Sequence, residues 1–388
     1  MATPRQRTHG RGFATRAIHA GERPDPVTHA HNTPIYATAT FAFDTAAEKE
    51  DAVDRAMAWD PASYFYSRTA NPTTRALEEK LAALDGAEEA VVAASGMACV
   101  SSTLLAHVGQ GDHVLVGDEL FVITRVLLED DFPRRGIGVT PVDMTDLAAV
   151  DVAISPATKV LFFETATNPR LRVADIDALA ALGHRHGLIV VADNTFLAPA
   201  LLRPIEHGAD MVVHAATKWL SGHGDAVSGA VTGSKALLEP IRKQVDTLGQ
   251  AASPFASWLV LRGVRSLPLR SRAASANAIR LAEFLESQEK VEWVRYPGLP
   301  SHPDHAVASR LIDGPGGAML AFQVRGGVEG MAAFTDHLAL CDLGVSLGDV
   351  FTLVYPQPKR GGLIRVSVGC EDVEDLIEDF TRGLSFVA

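Results

Sequence analysis

The sequence predicts an α/β protein: a mostly parallel sheet with helices on both faces, followed by a smaller C-terminal α/β domain. Three observations predict it. Short apolar runs recur, namely "EAVVAAS", "HVLVG" at 113, "KVLFFET" at 159, "LIVVAD" at 188 and "DMVVHA" at 210. Amphipathic stretches such as "TTRALEEKLAALDG" and "IDALAALGHRHG" lie among them. Beyond a long helical run from Pro254 to Gln288 stand "VEWVRY", "AMLAFQV" and "LIRVSVG", a second and smaller set of strands. Apolar strands that alternate with helices need both sheet faces covered, which is the parallel α/β arrangement.

Taken in order, residues 1–62 are rich in His, Pro, Thr and Ala and lack a steady period. They read as an extended arm that leans on a neighbouring subunit. Residues 63–255 form the large domain. It opens on a helix stopped by Gly86, continues through "EAVVAAS" and the helical "GMACVSSTLLAHV", and then carries the buried strands. Residues 256–388 form the small domain. Neither a short-period repeat nor a low-complexity linker interrupts the chain.

Composition narrows the partners. The chain has 388 residues, a formal net charge of -12 and a 47% hydrophobic content. Nucleic acid and anionic membranes need a basic field to release counterions, so neither is expected as a partner. Small molecules and further copies of the chain are. Cys99, Cys341 and Cys370 are widely spaced without a CxxC, which points away from a disulfide framework or a zinc cluster and towards a reducing cytoplasm. The opening "MATPRQRTHGRGFATRA" has no apolar run of signal-peptide length, and no later segment reaches the roughly eighteen apolar residues of a span. The histidine pairs 29/31, 184/186 and 302/305 lack a metal-binding spacing such as HExxH, so no metal is expected.

The segment "VVHAATKWLSGHGD" places Lys218 between an apolar strand and a glycine-rich turn. A lysine at a strand end commonly snorkels to water. Asp193, however, closes the neighbouring strand "LIVVAD", and adjacent parallel strands bring both side chains to one sheet edge, where ligands of such folds gather. A structural ion pair is one use of these groups. Pyridoxal phosphate (PLP) is another, because its aldehyde takes a lysine amine as a Schiff base and a carboxylate keeps its pyridine nitrogen protonated. The turn Ser95-Gly96-Met97 between a strand and a helix offers free backbone N–H groups to a phosphate.

Several segments carry a more specific likeness: "GFATRAIHAG", "YFYSRTANPTTRALE", "ASGM", "ETATNPRLRVADI", "VADNTF", "GADMVVHAATKWLSGHGD", "LRGVRSLPLR", "YPGLPSHP", "VSLGD" and "LIRVSVGCEDVEDLI". Together they resemble the cystathionine and methionine gamma-lyase family of PLP-dependent enzymes, with "VSLGD" in the form of methionine gamma-lyases and homoserine sulfhydrylases. The resemblance implies the aspartate-aminotransferase-like fold, fold type I. It makes Lys218 the Schiff-base lysine and Asp193 the pyridine partner, with Gly96, Met97 and Thr217 as phosphate contacts. Tyr66 and Arg68 would reach the phosphate of a neighbouring subunit, Phe121 would stack on the ring, and Asn168 would lie near the phenolic oxygen. Arg365, Ser346 and Asn168 would bind an amino-acid substrate, Arg365 through its carboxylate. A homotetramer built as a dimer of active dimers is implied.

Three replacements and one shortening depart from the family pattern. Phe121 stands where a tyrosine is usual, Val245 where a lysine is often found, and Ala215 where a phosphate-contacting serine is common. The stretch "TLVYPQPKRGGLIR" is shorter than its family counterpart. Loss of the tyrosine hydroxyl removes a proton donor, and general-acid help matters least for a weakly basic leaving group. The expected activity is therefore γ-elimination on an L-amino acid with a good leaving group such as halide or carboxylate. Gamma-replacement, as in O-acylhomoserine sulfhydrylases or cystathionine gamma-synthases, is the alternative, and a non-catalytic PLP-binding protein the remote one.

Overall fold

The computed structural model describes Thr8 and residues 10–388. Twelve strands lie among these residues: β1 Glu89–Ala93, β2 His113–Gly117, β3 Gly138–Val142, β4 Thr158–Glu164, β5 Ile189–Asp193, β6 Met211–His214, β7 Gly229–Gly233, β8 Val291–Arg295, β9 Met319–Val324, β10 Asp342–Leu343, β11 Leu353–Gln357 and β12 Leu363–Ser367. They make a seven-stranded sheet in the order β1-β7-β6-β5-β4-β2-β3 and a five-stranded sheet in the order β10-β11-β12-β9-β8. Strands β3, β2, β4, β5 and β6 run parallel, whereas β7 is antiparallel to both of its neighbours.

The two-residue strand period explains why the large sheet is covered twice. Leu161, Phe163, Val190 and Ala192 pack into one core, and their alternates Val160, Phe162, Val191, Met211 and Val213 into the other. Leu77, Leu81 and Leu84 of the helix Pro72–Asp85 close the first core. Val100 and Leu104 of the helix Gly96–His107, with Leu238 and Ile241 of the helix Lys235–Thr247, close the second. Each fully buried side chain of this size contributes about 1.5–3 kcal/mol. Packing on both faces leaves the C-terminal strand edge, where Glu164, Asp193 and His214 end their strands, as the open end of the sheet.

The 33-residue helix Pro254–Glu286 packs on the helices Phe13–His19 and Pro72–Asp85 and then on β8 and β9 of the small sheet. Phe322 of β9 packs edge-on against Phe334, and Phe334 against Phe380 of the C-terminal helix Val373–Ser385, with ring centroids 5.4 and 5.3 Å apart. Ile364 and Val366 of β12 join this core, so the strand period turns Arg365 between them to the opposite face.

Two helices, Phe13–His19 and Ala46–Met57, occupy the segment that reads as an extended arm. Their buried faces consist of alanines, Ala17 in the first and Ala52 and Ala56 in the second, which give hardly any hydrophobic period. The Thr45 cap, accepting from the Glu48 N–H at 3.2 Å, is the Thr-x-x-Glu start signal that marks the second helix. The first is fastened to its own chain: the fully buried Lys80 Nζ donates to Ala17 O at 2.7 Å and to Glu22 Oε1 at 2.5 Å. Among the described residues no helix is long and apolar enough to cross a membrane. Strands β3, β7, β10 and β11 escape the sequence pattern, β3 because it carries a proline and lies half-exposed at the sheet edge.

Candidate active site

Strands β5 and β6 are parallel neighbours with Asp193 opposite Val213, so Asp193 and the turn after His214 emerge at the same sheet edge. That turn, Ala215-Ala216-Thr217, delivers Lys218, whose N–H donates to Ala215 O at 3.0 Å. The Lys218 Nζ donates to Ser346 Oγ at 2.8 Å. Burial lowers the pKa of this amine, and the positive charge of Arg365 lowers it further. A lysine so placed loses its proton more readily than one in water, as a nucleophile or base requires.

The Asp193 Oδ1 accepts the Thr195 N–H at 2.9 Å. Burial raises the Asp193 pKa, against the opposing pull of that hydrogen bond and of His214. A cation placed beside it would restore the carboxylate, and a protonated pyridine nitrogen is such a cation.

Next to this edge the helix Gly96–His107 begins, with the Ser95 side chain capping the Ala98 N–H at 3.1 Å. A Cβ on Gly96 would fall 2.7 Å from Ala215 Cβ and 2.9 Å from Ala215 Cα, so only glycine lets the helix start touch the lysine turn. The first-turn N–H groups and the turn therefore form one cradle, suited to an anion. Thr217 is fixed by Ser228, its Oγ1 accepting the Ser228 N–H at 3.0 Å. Met97 sits beside the Phe121 segment through a Thr124 Oγ1 contact to Met97 Sδ at 3.5 Å.

Arg365 is 3% exposed, and its bonds go to uncharged groups. Nη1 donates to Asn168 Oδ1 at 3.1 Å, and Nη2 donates to the carbonyls of Val345 and Ser346 at 2.8 and 2.9 Å. Its Nε has no partner among the described residues. Burial brings its pKa down to about 10. A buried guanidinium with an unpartnered donor is a strong recognition point for a carboxylate. Asn168, Arg365, Ser346 and Lys218 thus form one connected group.

Phe121 is 42% exposed at the end of the loop after β2, with its ring free to cover a ligand. Tyr66 and Arg68 make their contacts elsewhere in the chain. Arg68 Nε donates to Asp246 Oδ1 at 2.8 Å, its guanidinium lies 5.0 Å from the Tyr66 ring centre, and half of its side chain remains exposed. Val245 points into the core beside Leu238 and Ile241.

Two buried acids escape the sequence reading. Glu164, the last residue of β4, lies in register with Asp193 on β5. Its Oε1 accepts the Phe121 N–H at 2.6 Å and its Oε2 has no partner among the described residues. Burial, with Asp193 as the second cause, pushes its pKa well above the usual carboxylate value. Asp85 and His214 form the other pair, both at most 1% exposed, with Nε2 to Oδ2 at 2.9 Å and Thr232 Oγ1 on the same oxygen at 2.8 Å. An acid closing an apolar run was the available signal for Glu164. Register was needed to pair it with Asp193.

These residues fit PLP. The cradle at Gly96 suits a phosphate, Asp193 a ring nitrogen, and the Lys218 amine an aldehyde. No group of three or more potential metal ligands is clustered among the described residues.

Comparison with known proteins adds to this geometry. The sequence model described as Cys/Met metabolism PLP-dependent enzyme matches residues 14–385. An L-methionine gamma-lyase of Pseudomonas putida is 42% identical over 391 residues, covering 96% of this chain and 97% of that protein. An O-succinylhomoserine sulfhydrylase of Pseudomonas aeruginosa is 39% identical, covering 97% and 96%. The crystal structure of cystathionine gamma-lyase from Lactobacillus plantarum, complexed with L-serine, superposes with a TM-score of 0.89 at 34% identity over 97% of this chain and 99% of that one.

Proposed function

Because the chain belongs to the Cys/Met metabolism PLP-dependent enzyme family, we propose that it eliminates a substituent from the γ-carbon of an L-amino acid, with preference for a weakly basic leaving group. Elimination or replacement at the γ-carbon is the chemistry of the relatives, whose names include L-methionine gamma-lyase and O-succinylhomoserine sulfhydrylase. The observation that supports the reading is the connected group of Lys218, Ser346, Arg365 and Asn168, which sets an amine of lowered pKa near a buried guanidinium with one donor unpartnered among the described residues.

Bound PLP supplies an aldehyde for an amine and a ring that accepts electrons from the substrate carbon. Lys218 would hold it covalently, with Asp193 at the ring nitrogen, Gly96, Met97 and Thr217 at the phosphate, Asn168 near the phenolic oxygen and Phe121 over the ring. Arg365, whose Nε is unpartnered among the described residues, binds the substrate α-carboxylate and so orients the α-hydrogen towards the lysine. With the cofactor bound, Lys218 Nζ would take and return the α-proton, while Ser346 Oγ would steady the amine. Asp193 would balance a positive ring nitrogen.

The preference for a good leaving group rests on Phe121, which covers the ring without a hydroxyl to protonate the departing atom. Tyr66 and Arg68 from a second copy of the chain complete the phosphate site in this reading. Arg68, held by Asp246, keeps half of its side chain exposed for contact with that copy. A dimer of such dimers, in the cytoplasm, is part of the same proposal.

The test offers the holoenzyme methionine, cystathionine, O-acetylhomoserine, O-succinylhomoserine and 4-chloro amino acids, with and without a thiol, and identifies products by mass spectrometry. Release of a 2-oxo acid, fastest from the chloro or acyl substrates, supports elimination with a good leaving group. Products that retain the amino group and appear only with thiol would establish replacement instead.

A further inference from the structure

We propose that a cationic cleft on the small sheet, outside the active site, binds a compact multivalent oxyanion, a small molecule carrying two or more carboxylates or a diphosphate. The cleft encloses about 530 Å³, within the range of small-molecule sites. Four of its lining residues, Arg170, Arg295, Lys359 and Arg360, are cations, and the others are Trp293, Gln323 and Leu363. Such a concentration of positive charge is unexpected on a chain of net charge -12. Glu119 stands near, with Oε1 3.8 Å from both Arg170 Nε and Arg360 Nη1, too far for a direct hydrogen bond to either. One carboxylate shared in this way leaves most of the positive charge uncompensated.

The backbone holds these cations in place. Strands β11 and β12 form a hairpin in which Gln357 pairs with Leu363, and its tip is the tight turn Pro358–Arg360 followed by Gly361 and Gly362. Gly362 has φ +88°, and a Cβ there would fall 2.4 Å from Gly327 O, so the tip is pressed against the start of the helix Gly327–Thr335 of the same chain. The Trp293 Nε1 donates to Gln323 Oε1 at 3.0 Å, and Gln323 Nε2 donates to Gly361 O at 3.0 Å. This chain of bonds ties the tip to β8 and β9. Arg295 lies along the Trp293 ring, 5.4 Å from its centre. Holding like charges together costs Coulomb energy, which an anion in the cleft would return. Guanidinium forks and an ammonium suit carboxylate and phosphate oxygens alike.

The cleft also has a place relative to the substrate arginine. Arg295 and Arg365 both pair with Ala321, on β9 between them, so the two arginines face the same side of the sheet. Two strand spacings separate them, roughly 10 Å. The tip belongs to the shortened stretch "TLVYPQPKRGGLIR", so the cleft rests on residues of the segment that departs from the family pattern.

Calorimetric titration of the holoenzyme with pyrophosphate and, separately, with tricarballylate at constant ionic strength tests the proposal. The bound cofactor keeps its own phosphate site filled. Saturable binding of at least one probe, one per chain, is expected, and which probe binds tighter distinguishes a phosphate from a carboxylate ligand. The variant Lys359→Ala/Arg360→Ala removes two exposed cations outside the catalytic group. It should retain basal activity and bind the probe at least about tenfold more weakly, and Arg295→Gln should weaken binding independently from the cleft floor. Absence of saturable binding by either probe, or unchanged affinity in both variants, would overturn the assignment.

Discussion

Replacing Gly96 with alanine probes the junction proposed to cradle the cofactor phosphate. The new methyl would lie 2.7 Å from Ala215 Cβ and 2.9 Å from Ala215 Cα. Carbon atoms pack at about 3.5–4.0 Å, so the helix start and the lysine turn must separate by roughly 1 Å. Neither side yields easily. Ala215 is tied to Lys218 through its carbonyl and to Thr195 Oγ1 through its N–H at 2.8 Å, and the helix start is capped by Ser95. Overpacking of this kind costs about 1–3 kcal/mol. Expressed as cofactor affinity, that is a loss of about fivefold to 150-fold. The assay titrates apoprotein with PLP and follows the absorbance of the lysine adduct, beside a thermal melt of the apoprotein. The double variant Gly96→Ala/Ala215→Gly removes the methyl that would be struck and should recover part of the affinity. If Gly96→Ala lowers Tm but leaves cofactor affinity at the wild-type value, the junction is structural packing and the phosphate cradle is misassigned.

Phe121→Tyr restores a hydroxyl over the ring and should raise the rate on methionine and cystathionine more than on O-acyl or chloro substrates; steady-state kinetics on both classes checks this, and equal gains would contradict the leaving-group argument. Arg365→Lys removes the planar fork at the open Nε side and should raise KM for the amino acid by roughly tenfold to a hundredfold, with cofactor binding retained. Arg365→Met addresses pH. Because the Arg365 charge helps lower the Lys218 pKa, its removal lets the amine keep its proton to higher pH, so the pH profile of cofactor loading, measured without substrate, should move in the alkaline direction. His214→Asn breaks the buried pair with Asp85, a loss of about 3–5 kcal/mol where the histidine is charged. The His214 pKa is raised in the fold despite the opposing effect of burial, so the stabilisation is full below the ordinary histidine pKa and fades as pH rises through the folded value. Melts of both proteins across that range should show the Tm gap narrowing towards alkaline pH.

Much of the large sheet was legible because its strands announce themselves locally. An apolar run buried on both faces, such as 160–163 or 190–192, reads the same in sequence and in space. Lys218 and Asp193 were legible for a related reason: an ionisable residue that ends such a run stands out, and neighbouring parallel strands leave few places for it. The alanine-faced helices of the N-terminal segment were missed because alanine gives a weak period, and β7 because "GAVTG" is short and bounded by glycines.

By itself the sequence determined most of the buried strands, which residues close them, and which family's motifs the chain carries, since these follow from the order of side chains along short segments. The tertiary structure decided which of those residues meet. Glu164 came beside Asp193 only through the register of β4 with β5, and Arg365 met Asn168 only because 197 residues of separation close onto it, with Nε left unpartnered among the described residues. The hairpin at Lys359 and Arg360 joins Arg170 and Arg295 in the same way. Burial, unmet hydrogen bonds and the field of neighbouring charges arise between segments distant in the chain, and no local pattern encodes that distance.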